Sequence, residues 1–121
     1  MKRDMDLVRN ILLQIEEKGG NPYKTIDLDI PDYSKEDVSH HVLLLRDAGF
    51  VEAYDLSDSV AFIVKPERMT WAGHEFLDAA RNNIVWNHAK EIANEKVGTI
   101  PFEVLKLLLI KLVSTVVGLE S

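Results

Sequence analysis

The sixteen residues from Val38 to Ala53, VSHHVLLLRDAGFVEA, decide how the rest of the chain is read. Just upstream, Ser34 is followed three residues later by Asp37, close to a capping box, so a helix starts there. It runs to Ala48, with Gly49 as its left-handed stop. At about 100° per residue, Val38, His41, Val42, Leu45 and Ala48 share one stripe and form the buried side. The opposite face presents Lys35, Glu36, Ser39, His40, Leu43, Arg46 and Asp47. Two short apolar runs follow, Phe50 to Leu56 and Val60 to Val64, which the turn LSDS joins into a β-hairpin.

Working outward, Asp4 to Lys18 carries Leu7, Val8, Ile11, Leu12 and Ile15 at helical spacing, an amphipathic helix that Gly19-Gly20-Asn21-Pro22 stops. TIDLDI, residues 25–30, alternates Ile26, Leu28 and Ile30 with Asp27 and Asp29, the period of a half-buried strand. Beyond the hairpin, Thr70 caps a helix holding Trp71, Phe76, Leu77 and Ala80, which ends near Asn82-Asn83. A second helix spans about Ile84 to Lys96, and Gly98 and Pro101 separate it from a third, Phe102 to Val117. The fold class this order implies is α+β: a winged helix-turn-helix-like core over residues 1–69 and a C-terminal helical extension over 70–121, packed together as a single compact domain. The usual middle helix is replaced by the short segment NPYKTIDLDIPDY.

Composition narrows the function. With 121 residues and 46% hydrophobic content, one core is large enough to fold without staples. The absence of cysteine excludes disulfides, thiolate zinc sites and a cysteine nucleophile, and agrees with a cytoplasmic location. Asp4, Asp6 and Arg9 break the apolar run that a signal peptide would need. A formal charge of −6 opposes a duplex-binding surface, which releases counterions through clustered cations.

VSHHVLLLRDAGFVEA resembles the recognition helix and first wing strand of ArsR-type bacterial regulators, without that family's metal-sensing cysteines. A longer likeness is carried by MKRDMDLVRNILLQIE, YSKEDVSHHVLLLRDAGFVEA and RMTWAGHEFLDAARNNIVWNHAKE. Together these are similar to YjcQ-like proteins, an uncharacterised winged-helix family of bacterial and phage-associated proteins. That resemblance implies a prophage setting and brings no catalytic residue or cofactor.

On this reading the DNA-binding residues are Lys35, Ser39, His40 and Arg46 on the helix, with Lys65 and Arg68 near the wing. Glu36, Asp37, Asp47, Asp55 and Asp58 would meet phosphate unfavourably. His40 and His41 are adjacent on a helix and diverge too far to chelate one ion, which leaves one core His and one solvated His. GHEFLDA, residues 73–79, imitates a zinc-protease motif with Asp78 in the second ligand position; with His74, Glu75 and a distant His88 it is better explained by capping and packing. Trp71 and Trp86 are read as hydrophobic anchors of the extension.

The last segment has a broad apolar stripe, Phe102, Leu105, Leu108, Leu109, Leu112, Val113, Val116 and Leu119, with Val104, Leu107, Ile110 and Val117 apolar beyond it. Glu103, Lys106 and Lys111 keep it short of a membrane span. One small domain cannot cover every side of such a helix, so Leu105, Leu108, Leu109, Leu112 and Val116 are expected to form a homodimer interface. The expectation is a non-enzymatic cytoplasmic protein with no metal or cofactor. It either binds double-stranded DNA as a transcription regulator or acts as a protein-interaction adaptor on the same fold.

Overall fold

The computed structural model describes residues 2–21, 23–97 and 102–116, with side chains described for all of these except 93–97, 102, 103 and 116. Among the described residues there are five helices and a two-stranded antiparallel sheet, a mixed α+β arrangement. The order is α1 (Met5–Lys18), α2 (Lys35–Asp47), β1 (Val51–Asp55), β2 (Val64–Met69), α3 (Trp71–Ala80), α4 (Asn83–Val97) and α5 (Phe102–Val116). The chain divides into two compact units, residues 1–74 and 75–121, with the division inside α3.

In the first unit, the Asp4 carboxylate caps α1 by accepting the Leu7 N–H. The five apolar residues expected on its inner stripe, Leu7, Val8, Ile11, Leu12 and Ile15, are all buried. Each contributes about 1.5–3 kcal/mol by leaving water, before chain entropy is charged against it. Ser34 caps α2 through the Asp37 N–H, and Gly49 takes the left-handed φ of +83° that turns the chain into β1.

The segment 25–30 is not a strand. Its side-chain burial alternates as expected, but its one backbone bond to the sheet runs from the Ile26 N–H to the Pro66 carbonyl at 2.7 Å. Pro66 has no N–H to return, so a ladder cannot propagate from it. On the other edge, Gln14 of α1 acts as a substitute strand: its amide accepts the Asp29 N–H and donates to the Asp29 carbonyl.

The second strand begins four residues later than the sequence suggests, at Val64 rather than Val60. Residues 56–63 are loop, because the Asp58 carboxylate accepts the N–H groups of Val60 and Ala61 and draws them into a turn. The strand instead runs through Pro66, opposite Ala53, next to a register shift at Glu52/Ala53 where a missing donor is tolerated.

Gly73 belongs to the same unit. A Cβ there would lie 2.2 Å from the Phe50 carbonyl oxygen, so only glycine lets this first turn of α3 approach so closely. In the second unit Phe76, Leu77, Trp86 and Ala89 are buried, α4 starts at the Asn82 cap, and α5 contacts α4. Trp86 stands edge-on to Phe76 at 6.4 Å. Trp71 is 81% exposed and anchors nothing, contrary to expectation. Gly98, Pro101, Val117 and Leu119 lie outside the described residues.

Candidate functional site

Of the six residues that the sequence nominates for DNA, Lys35, Ser39, His40 and Arg46 lie on α2 and Lys65 and Arg68 on β2; Lys35, Ser39 and Lys65 line one groove, whereas Arg68 lies beside Ile15, Glu16 and residues 19–21 at the end of α1. Ser39 is not on the surface. It is 6% exposed, and its hydroxyl accepts the Val64 N–H at 3.1 Å, which joins α2 to the first residue of β2. The hairpin covers that side of α2, so the helix buries Ser39, His41, Val42 and Leu45, while Val38 is half-buried and Ala48 exposed.

His41, the core histidine of the pair, has both ring nitrogens engaged. Nε2 accepts the Asp4 N–H at 2.9 Å, which requires the proton on Nδ1, and Nδ1 donates to the Asp37 carbonyl at 2.8 Å. Asp4 also accepts the Tyr33 hydroxyl at 2.7 Å. That bond, with burial and nearby carboxylates adding to it, pushes the phenol up to about 12. These contacts tie the start of α1 to α2 and to the segment between them.

His40 is half-buried: its ring stacks on Phe62 with centroids 4.3 Å apart and lies 3.8 Å from the Glu36 carboxylate. Lys65 is bound to Asp27, a contact that holds the Asp27 carboxyl below its ordinary range. Arg68 makes a two-pronged pair with Glu52, both bonds 2.9 Å, and the guanidinium pKa rises in consequence. The hydroxyl and N–H of Ser57 lower the Asp55 carboxyl, and the Arg46 charge adds to this more weakly. Asp58 is lowered by the N–H groups of Ala61 and Val60. Lys35 is exposed at the first position of α2.

The outward side of α2 therefore carries Lys35, Glu36, Asp37, Leu44, Arg46 and Asp47, beside a hairpin whose tip exposes Leu56, Asp58 and Val60. Residues 2–74 hold nine Lys and Arg against fourteen Asp and Glu. Sequence reasoning missed the pairings Lys65–Asp27 and Arg68–Glu52 because the partners lie 38 and 16 residues apart.

Among the described residues no three His, Asp or Glu are placed to hold a metal ion. Asp78 of the HEFLD run is paired with Arg81 at 2.9 Å. No helix among the described residues is long and apolar enough to cross a membrane. On α5 the expected interface residues Leu105 and Leu109 are fully buried, and Leu108 and Leu112 are half-buried. The apolar positions facing outward are Val104, Leu107 and Ile110, and the Val116 side chain lies outside the described set.

Fold and face together define a small α+β protein with an acidic helix-and-hairpin surface. The chain belongs to the family described as "Hypothetical protein (DUF2513)", whose model matches residues 2–99. It is also similar to an uncharacterised protein of Haemophilus influenzae, 35% identical over 106 residues that cover 88% of this chain and 90% of the relative. No solved structure matches it.

Proposed function

We propose that this protein is a non-enzymatic protein-interaction module on a winged-helix-like core, with α2 and the β1–β2 hairpin as its docking face. The observation that carries the reading is that two of the four cations nominated for phosphate are engaged by the chain's own carboxylates, Lys65 by Asp27 and Arg68 by Glu52, which leaves Lys35 and Arg46 among a larger number of exposed carboxylates. The outward surface that remains is acidic, with Leu44, Leu56 and Val60 as apolar contacts. Such a surface repels a duplex and favours a partner carrying basic residues around an apolar patch. The cytoplasm, and a homodimer formed through the outward side of α5, belong to the same proposal.

The test is a titration at physiological salt with a mixed-sequence DNA duplex, run beside a photo-crosslinker placed at Val60. Expected are duplex binding weaker than about 10⁻⁴ M, the weak end of non-specific association, and crosslinked adducts whose added mass survives nuclease treatment. Tighter, salt-dependent duplex binding overturns the reading.

A DNA-binding transcription regulator of prophage origin is the second reading. It is supported by the ArsR-type and YjcQ-like resemblances and by Lys35, which is exposed and has no ion pair among the described residues. On that reading, Lys35→Ala weakens duplex binding for all sequences alike, because a lysine on phosphate carries no base information.

A further inference from the structure

Between segment 25–30, the first turn of α2 and the start of β2 lies a groove of about 450 Å³. Ile26, Leu28, Ile30, Val38, Ile63 and Val64 form its apolar lining. Backbone polar groups of an extended chain point alternately to its two edges. Here the groups of Asp27 and Asp29 turn toward α1, where Lys18 takes the Asp27 carbonyl and Gln14 takes both Asp29 groups. The Ile26 N–H turns the other way, to Pro66 of β2. Leu28, two residues on, shares the edge of Ile26 and so faces the groove, and neither its N–H nor its carbonyl has a hydrogen-bond partner among the described residues. Leu28 is half-buried as a residue, and its peptide group lies without a protein partner beside an apolar trough, open to a further chain.

Among the described residues the wall opposite makes no bond to Leu28 and offers it no N–H at Val64 or Pro66. The Val64 N–H is held by the Ser39 hydroxyl, and Pro66 has no N–H. Charge is placed at the groove as well. Asp27 and Lys65 neutralise one another, whereas Asp29 and Lys35 line the groove with no ion pair among the described residues.

We propose that this groove receives an extended peptide strand from a protein partner, which pairs with the Leu28 backbone. The strand sets alternate apolar side chains into the trough, meets Asp29 with a basic residue and meets Lys35 with an acidic one. This is addition of a strand to an open backbone edge, in which main-chain bonds supply affinity and side-chain pockets supply selectivity. The proposal deepens the protein-interaction reading and rests on it.

The probes are two synthetic peptides, acetyl-Glu-Val-Ser-Val-Lys-amide and the reversed order acetyl-Lys-Val-Ser-Val-Glu-amide, followed by amide NMR on the full chain. One of the two should bind with a Kd below about 1 mM, shift the Leu28 and Ile63 amides, and slow Leu28 amide exchange at least tenfold at saturation. Leu28→Pro removes an N–H that the free protein leaves unbonded, and it should weaken binding tenfold or more with the circular dichroism unchanged. Should that variant fail to fold, Asp29→Lys with Lys35→Glu, both at exposed positions, should reverse the preference between the two peptides.

No protection of Leu28 by either peptide, or a charge-swapped variant with unchanged preference, overturns the groove proposal. A null duplex titration alongside that result leaves the protein-interaction reading standing; tight duplex binding removes both. Protection of Leu28 that grows with protein concentration alone would identify a second copy as the occupant and overturn assignment to a different partner.

Discussion

Replacing Ser39 by alanine separates a structural serine from a recognition serine. Its hydroxyl is the acceptor for the Val64 N–H at 3.1 Å, and the two residues are 6% and 3% exposed. Ser39→Ala leaves that donor buried without a partner, a loss of about 1–3 kcal/mol. The middle of that range, about 2 kcal/mol, lowers the melting temperature of a domain this size by roughly 8 °C. Lys35→Ala, one turn earlier and exposed, should stay within about 0.5 kcal/mol of the parent. Urea unfolding followed by far-ultraviolet circular dichroism measures both, and amide exchange at Val64 reports the orphaned donor directly. Unchanged stability in Ser39→Ala together with unchanged Val64 exchange would refute the reasoning. The hydroxyl would then be turned outward and available to a ligand.

His41→Leu keeps the volume of a buried side chain but removes the acceptor of the Asp4 N–H, and urea unfolding should show a loss of about 2 kcal/mol. Asp27→Asn combined with Glu52→Gln frees Lys65 and Arg68; the double variant should gain duplex binding with a log–log salt slope about 2 units steeper than the parent, and an unaltered slope counts against internal neutralisation. Asp27, Asp55 and Asp58 have folded pKa values lowered from 3.8, so their stabilisation is complete above about pH 4 and is lost as pH falls through those lower values. A carboxyl carbon titration should place all three below 3.8, and a value at or above it contradicts the hydrogen bonds drawn to that residue. Leu105→Ala, at a fully buried site, should cost about 3 kcal/mol, whereas Leu107→Glu, 66% exposed in the parent, should leave the fold intact and abolish any dimer seen by sedimentation.

Local rules read much of the first unit correctly. Ser34 caps α2, the α1 stripe is buried in full, and Gly49 turns the chain out of α2. Each depends on residues within a turn or two of one another, where periodicity and capping chemistry operate. The misreadings have longer range. Pro66 argues against a strand through its own position, so VAFIV looks the better candidate, but the Asp58 turn takes Val60 and Ala61 out of the ladder. Ser39 falls on the helix side that periodicity assigns to solvent, and only the hairpin folding over it makes it interior. For the candidate site the decisive facts are pairings between carboxylates and cations distant in the chain, which no spacing rule encodes. On α5 the stripe was legible, but which part of it faces α4 was not.

Pro66 and Ser39 together have a consequence for solubility. A two-stranded sheet has bare edges, and bare edges invite neighbouring molecules to stack into fibrils. Along β2 the Val64 N–H is held by a hydroxyl, position 66 has no N–H to offer, and its carbonyl is occupied by Ile26. A second chain approaching this edge finds no run of consecutive donors to copy, and any strand seated against Leu28 would meet the same blank wall on its far side. On this edge strand addition would stop after one layer, so an open peptide group in an apolar trough would not by itself seed stacking through β2.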